Sequence, residues 1–348
     1  MVGVLLSVLC PFKALAQERL AVRSDILLYG DNTEFRNPFR EGETIFGAAL
    51  RVAAVVDLNE RVALSLGAFG NQRFGSSDAF EQVRPVIALT VRGKRSTFVF
   101  GTLPAPTVKV PSGPDRGGPH GLLPALQRET LMYQRPYESG LAWTFNGRAI
   151  RHDFWLEWQR LNTPEHRERL DGGLKASPRV TDRLAIPLQM HVVHEGGQLY
   201  ASGAVADSVA AATGVELQHT MRGTLASLEL YGLVSRHVPD RSLPALSQDG
   251  AAFFGRVSGE RSGWRGHAIF WRGRNFIKDE GDLNYLSIRR NGERYSGTRD
   301  YAEAGLTRRF TLSPFAMLEA SGRVHRVEHH YEYSYRVMSV VSTSWMVR

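Results

Sequence analysis

Cysteine is almost missing from this sequence: Cys10 is the single one in 348 residues. It falls in residues 1–16, which read as an export signal. An apolar run from Val2 to Leu9 is followed by Ala14-Leu15-Ala16, an A-x-A cleavage site before Gln17. No Lys or Arg precedes the run, and Leu9 is too large to mark Cys10 as a lipoprotein cysteine. A mature chain of residues 17–348 has no thiol, which excludes disulfides and thiol chemistry. No later stretch approaches the ~20 apolar residues of a spanning helix. The patterns H-E-x-x-H, phosphate loop and Rossmann glycines are all missing. Ser112 and Ser139 have no nucleophile signature around them, and the 11 histidines are scattered, His329-His330 being the one adjacent pair. These absences predict a chain that is not an enzyme, with no catalytic residue, no cofactor and no metal. There is also no basic block. The net charge of +8 and pI of about 9.8 come mostly from arginines set singly along the chain, which argues against nucleic acid as a partner.

What is present is a period of two. Val62, Leu64, Leu66 and Ala68 alternate with Arg61, Ala63, Ser65 and Gly67. Phe154, Leu156 and Trp158 alternate with Asp153, Trp155, Glu157 and Gln159, and Tyr333, Tyr335, Val337, Val341 and Trp345 recur on one face of the last segment. Successive side chains of a strand point to opposite faces, so these are long strands with one apolar face. Such strands must close on themselves or leave an adhesive edge. In a bilayer only a closed barrel pairs every backbone group between strands. A mean hydropathy of −0.25 suits that reading, because half of each strand would face a polar lumen.

Turn signals divide the chain regularly. Short turns fall at 57–60, 92–95, 146–148, 180–183, 221–223, 261–263 and 310–313. Longer polar connections fall at 29–43, 70–80, 102–127, 162–167, 195–201, 239–249, 275–298 and 325–332. Their alternation predicts one domain over 17–348: an all-β, antiparallel, up-and-down transmembrane barrel of about sixteen strands, with 14 to 18 open, short periplasmic turns and long extracellular loops. This layout resembles the general porins of the Gram-negative outer membrane over residues 20–345. The last strand is similar to their aromatic closing strand, although Met346-Val347-Arg348 follow Trp345.

With the apolar face toward lipid, the lumen is expected to be lined by Arg51, Arg84, Arg92, Arg151, Asp153, Glu157, Glu229, Arg256, Arg265, Glu319, Arg323 and Arg336. Each such Arg would cost about 2–4 kcal/mol if it faced hydrocarbon at the midplane. The connection 102–127 follows the fifth strand and carries Pro104, Pro106, Pro111, Pro114, Pro119 and Pro124. By resemblance to porins it folds inward, with Lys109, Asp115, Arg116 and His120 at a constriction; a surface loop is the other reading. Two acidic stretches, Asp31-Asn32-Thr33-Glu34 and Lys278-Asp279-Glu280-Gly281-Asp282 with Asn284, offer hard oxygen ligands but read as hydrated loops. The expected function is an outer-membrane pore for passive diffusion of small hydrophilic solutes, weakly anion-selective. Its partners would be outer-membrane lipid and lipopolysaccharide, the barrel-assembly machinery and those solutes, with a homo-oligomer as one open assembly. The alternatives are a non-conducting barrel whose loops bind a ligand or surface partner, and a barrel enzyme acting on lipid or a surface polymer.

Overall fold

The computed structural model describes residues 19–104, 119–197, 199–200 and 203–347. The expected signal, with Cys10, and the constriction residues Lys109, Asp115 and Arg116 lie outside them. The strands are β1 (Arg19–Glu34), β2 (Glu43–Asp57), β3 (Val62–Arg73), β4 (Gln82–Arg92), β5 (Ser96–Thr102) and β6 (Ser139–Asn146). They continue as β7 (Ile150–Arg160), β8 (Glu168–Pro178), β9 (Leu184–Ala185), β10 (Leu188–Gly196), β11 (Ala206–Met221) and β12 (Thr224–Val238). The set ends with β13 (Gln248–Arg261), β14 (Trp264–Arg274), β15 (Thr298–Ser313), β16 (Ala316–Val327) and β17 (His330–Val347). Pairing is antiparallel between neighbours, and β1 closes on β17 from Leu20↔Val347 to Glu34↔Tyr333. β9 and β10 are two pieces of one stave, both paired to β11. Pro187 stands between them and has no N–H to give to a ladder. The result is a closed barrel of sixteen staves.

The outside is the apolar face. Leu66, Phe100, Trp143, Trp158, Phe270, Val324, Tyr335 and Trp345 are all exposed there, as a lipid-facing surface requires. Both described ends and the turns at 57–60, 92–95, 146–148, 180–183, 221–223, 261–263 and 310–313 share one rim, the periplasmic one in this architecture. One expectation needs correcting at the opposite rim. Residues 325–332 are not a long loop: β16 and β17 stay paired to Val327↔His330, and Glu328 and His329 make the turn, with Glu328 at φ 55°.

The outer half of the lumen is filled. After Thr102 the chain enters the barrel, where the Leu103 N–H donates to the Glu138 carbonyl at 2.9 Å. Leu122, Leu123, Ala125, Leu126, Leu131 and Tyr133 are buried inside. One helical turn, α1 (Leu131–Gln134), places Tyr133 on Tyr29 with ring centroids 4.9 Å apart. α1 stops at Arg135 because Pro136 forbids the helical conformation before it. Loop 275–297 supplies the other half of the plug, burying Phe276, Ile277, Lys278, Tyr285 and Leu286. Main-chain hydrogen bonds join the two segments, Arg128 N to Glu280 O at 2.7 Å and Asp282 N to Pro124 O at 2.9 Å. Arg299 of the wall donates to the carbonyls of Leu286, Asn284 and Leu283, holding the turn at 283–285. Below the plug remains a chamber of about 340 Å³, lined by Arg23, Asp25, Arg51, Ala53, Ala88 and their neighbours.

Candidate functional site

The densest polar constellation lies on β14 to β17, on the inner face and near the outer rim. Register brings it together. Glu303 stands opposite His325, and Arg323 stands opposite Ser334, so His325 is the diagonal neighbour of Ser334 on the same face. His325 Nε2 lies 2.8 Å from Ser334 Oγ, and its Nδ1 lies 2.7 Å from the Tyr301 hydroxyl and 3.4 Å from Glu303 Oε2. Tyr301 donates to Glu303 Oε2 at 2.6 Å, and His267 Nε2 meets Glu303 Oε1 at 2.7 Å. The partners assign the protons. Because the tyrosine proton goes to the carboxylate, its oxygen accepts from His325 Nδ1–H. That leaves Nε2 as the acceptor for the serine proton. A hydroxyl, an imidazole and an acidic partner in this order are the components of an activated nucleophile.

The surroundings hold the ring in place. Phe35 packs edge-on to His325 with centroids 4.8 Å apart. Gly305 faces His267, where a Cβ would come within 2.3 Å of the ring. Glu129 of the plug accepts from Arg323 at 2.8 Å and from Arg336 at 3.0 Å. Between wall and plug is a cavity of about 40 Å³ lined by Arg40, Thr130, Arg323, His325 and Ser334 among others, enough for one or two waters.

A second cluster sits across the lumen. His191 Nε2 meets Asp171 at 3.0 Å, His120 stacks on Trp155 at 3.8 Å, and His120 Nε2 lies 3.0 Å from Glu138. Lys278, buried beside it, donates to its neighbour's carbonyl, and burial lowers its pKa to about 8. Among the described residues this cluster puts no hydroxyl against an imidazole. Among the described residues no group of three or more His, Cys, Asp or Glu is placed to hold a metal ion.

Five of the twelve charged residues picked from sequence meet one another. Arg256 lies 3.6 Å from Glu229, Arg265 3.8 Å from Glu319, and Arg336 2.9 Å from Glu319. Arg92 pairs with Asp57 at 3.0 Å on the inner rim, and Arg51 donates to the Leu103 carbonyl at 2.8 Å. Glu157 accepts from Gln159 at 2.9 Å. Arg84, Arg151 and Asp153 are exposed near strand ends, and Arg323 joins the constellation described above. Ser334 and Tyr301 escaped sequence reasoning, since neither stands in a motif and the register that joins them to His325 is invisible in one dimension.

Comparison with known proteins agrees with this fold. OmpT of Vibrio cholerae superposes with a TM-score of 0.55 at 11% identity, covering 95% of this chain and 99% of that one. The anion-selective porin from Comamonas acidovorans gives 0.53 at 10%, covering 94% and 100%. OccK8 of Pseudomonas aeruginosa gives 0.50 at 11%, covering 94% and 98%. At such identities the likeness is one of fold, and it establishes an outer-membrane β-barrel. No curated protein matches the sequence. A family model described as Lipid A 3'-O-deacylase-type matches residues 12–348. That finding overturns the expectation that the chain is not an enzyme, which rested on the lack of a short motif. It favours the barrel enzyme acting on lipid over the weakly anion-selective pore. The match takes in every strand of the barrel, so the chain belongs to the lipid A 3'-O-deacylase-type family.

Proposed function

We propose that this barrel hydrolyses an acyl ester of a lipid A-type glycolipid in the outer leaflet, with Ser334 as nucleophile and His325 as base. The 2.8 Å contact between Ser334 Oγ and His325 Nε2, with the other ring nitrogen on Tyr301 and Glu303, carries the reading. Ser334 Oγ bonds to the ester carbonyl carbon as its proton passes to Nε2. The carbon–oxygen bond then breaks, and the departing sugar oxygen takes that proton. Water, deprotonated by the same nitrogen, releases the fatty acid from the serine. The imidazolium formed between these steps faces the Glu303 carboxylate through Tyr301. Arg40 and Arg323 line the same cavity, and their charge favours a developing oxyanion.

A 40 Å³ space holds water but no ester. The cover is segment 35–42, which brings Phe35 onto His325 and is tied to Glu332 by the Arg36 N–H and the Asn37 amide, each at 2.6 Å. Substrate entry requires that cover to lift.

The test is mass spectrometry of lipid A after incubation with the folded barrel. The wild type should remove one acyl chain, and Ser334→Ala and His325→Gln should each slow this by about 100-fold or more. Full activity in a folded Ser334→Ala barrel would place the nucleophile elsewhere. Intact lipid A with the wild type would remove the substrate assignment.

A further inference from the structure

Resting on that reading, we infer that the outer ends of β12, β14 and β16 form a clamp for the phosphates of a glycolipid whose acyl chains lie against the barrel. Three strands end alike: Val234-Ser235-Arg236, Phe270-Trp271-Arg272 and Val324-His325-Arg326. In each the middle residue is buried inside the barrel, at 6%, 0% and 3% exposure, so the apolar residue and the arginine both face outward. Arg274 adds a further cation on the same face of β14. All these arginines fall within two residues of the outer end of their strand. Val234, Phe270 and Val324 below them are exposed, as lipid-facing residues are. Alternate strands lie about 10 Å apart, twice the strand spacing. The wall therefore offers a row of guanidinium groups at headgroup height above the apolar side chains of Val234, Phe270 and Val324, spaced for more than one anion.

The charges are available. Among the described residues the side chains of Arg274 and Arg326 make no hydrogen bond or ion pair. Arg236 and Arg272 touch Asp249 at 3.2 Å and Asp300 at 3.6 Å, in pairs with both arginines more than 60% exposed. Exposed pairs of that kind are weak and exchange partners readily. Guanidinium groups bind phosphate through paired donors. At the end of β1 the corresponding outward residue is instead Glu34. The row also shares its strand with the constellation, because His325 precedes Arg326. A headgroup held there brings its esters to the stretch of rim above Ser334.

The experiment measures binding separately from hydrolysis. Arg274→Gln/Arg326→Gln is made in the full chain, with and without Ser334→Ala, and folding is checked by heat-modifiable mobility. Native mass spectrometry then reads occupancy by bisphosphorylated lipid A, monophosphorylated lipid A and phosphatidylcholine. In the Ser334→Ala barrel the bisphosphorylated form should bind best. The double substitution should weaken it about tenfold, remove the preference over the monophosphorylated form, and leave phosphatidylcholine unchanged. Equal affinity with and without the two arginines overturns the clamp, as does an equal loss for phosphatidylcholine. Arginine-dependent binding without any deacylation would sink the hydrolase reading and leave the clamp standing.

Discussion

The two halves of the lumen solve the problem of interior charge in opposite ways. In the outer half, charged groups of plug and wall are paired: Glu129 sits between Arg323 and Arg336. Beside the inner chamber of about 340 Å³, Arg23 and Asp25 face open space and make no ion pair among the described residues. A charge beside water keeps its hydration, whereas a charge under the plug must replace hydration with a partner. The plug is therefore held by few, strong and mutually dependent contacts. The inner wall is free to carry small side chains such as Ala53 and Ala88. In the outer half polar contacts fix the plug to the wall; in the inner half the wall beside the chamber rests on strand pairing, while on β14–β16 Glu319 still gathers Arg265 and Arg309.

The sharpest way to break this contrast is at Glu129. Replacing it by Leu leaves Arg323 and Arg336 buried without their shared carboxylate. Removing one partner of a fully buried pair costs roughly 3–5 kcal/mol; here Arg336 keeps Glu319 and Arg323 keeps Glu303, so a fraction of that cost falls on the contact between plug and wall. In planar bilayers the wild type should conduct little, because the outer lumen is filled, and Glu129→Leu should show frequent openings. Silence from both would mean that apolar packing alone holds the plug.

Lys278 is next in size. Burial lowers its pKa to about 8 from an ordinary 10.5, against the pull of Asp171, Asp279 and Glu280. A depressed lysine pKa means that the unfolded chain holds the extra proton between those values. Stability should therefore rise as pH goes from about 8 to 10.5 and be flat in this residue's contribution below 8. The rise amounts to about 1–3 kcal/mol. Urea unfolding in detergent should show it in the wild type and lose it in Lys278→Met. An unchanged slope in that variant would assign the effect to another group.

How much of this was legible in the sequence follows from the same division. Strand pairing depends on period and turns, both local, so staves such as β3 and β7 read directly from their alternation. Pro187, which splits one stave, sits in a stretch whose turn signal at 180–183 was visible. The last hairpin was not legible. Its turn uses Glu328 at positive φ, a conformation that non-glycine residues rarely take, and the flanking His and Glu residues look like loop. Reading 325–332 as a loop took His325 out of the barrel and away from Ser334. The charged inward residues were visible one at a time, but their partners lie on other strands and on the plug, as Glu129 does for Arg323. Such pairs follow from register, which no single segment contains.

Glycines sharpen the comparison on a smaller scale. Gly305 lies under the His267 ring, while Gly322, one strand over, would meet nothing within 4 Å on gaining a Cβ. Gly305→Val should cost about 1–3 kcal/mol by displacing His267 from Glu303, and Gly322→Ala should be close to neutral. Unfolding midpoints in detergent compare them. Equal costs would show that strand propensity, not the packed constellation, governs this wall.

The smallest effect is expected in the inner chamber. Ala53 is 6% exposed and lines the 340 Å³ space. Ala125, 0% exposed, sits in the core of the plug, hemmed in by neighbours such as Leu122 and Leu126. The same change, Ala→Leu, adds the same volume to each. At Ala125 the added atoms have no room, and overpacking should cost about 1–3 kcal/mol. At Ala53 they extend into open space, where lost hydration of the chamber is offset by new contact with Val55, Val86 and Ala88. The change should stay within about 0.5 kcal/mol. Urea titrations of the two variants in one detergent give the difference directly. A large loss at Ala53 would mean that the chamber is occupied in the folded protein, and the division between a packed outer half and an open inner half would have to be redrawn.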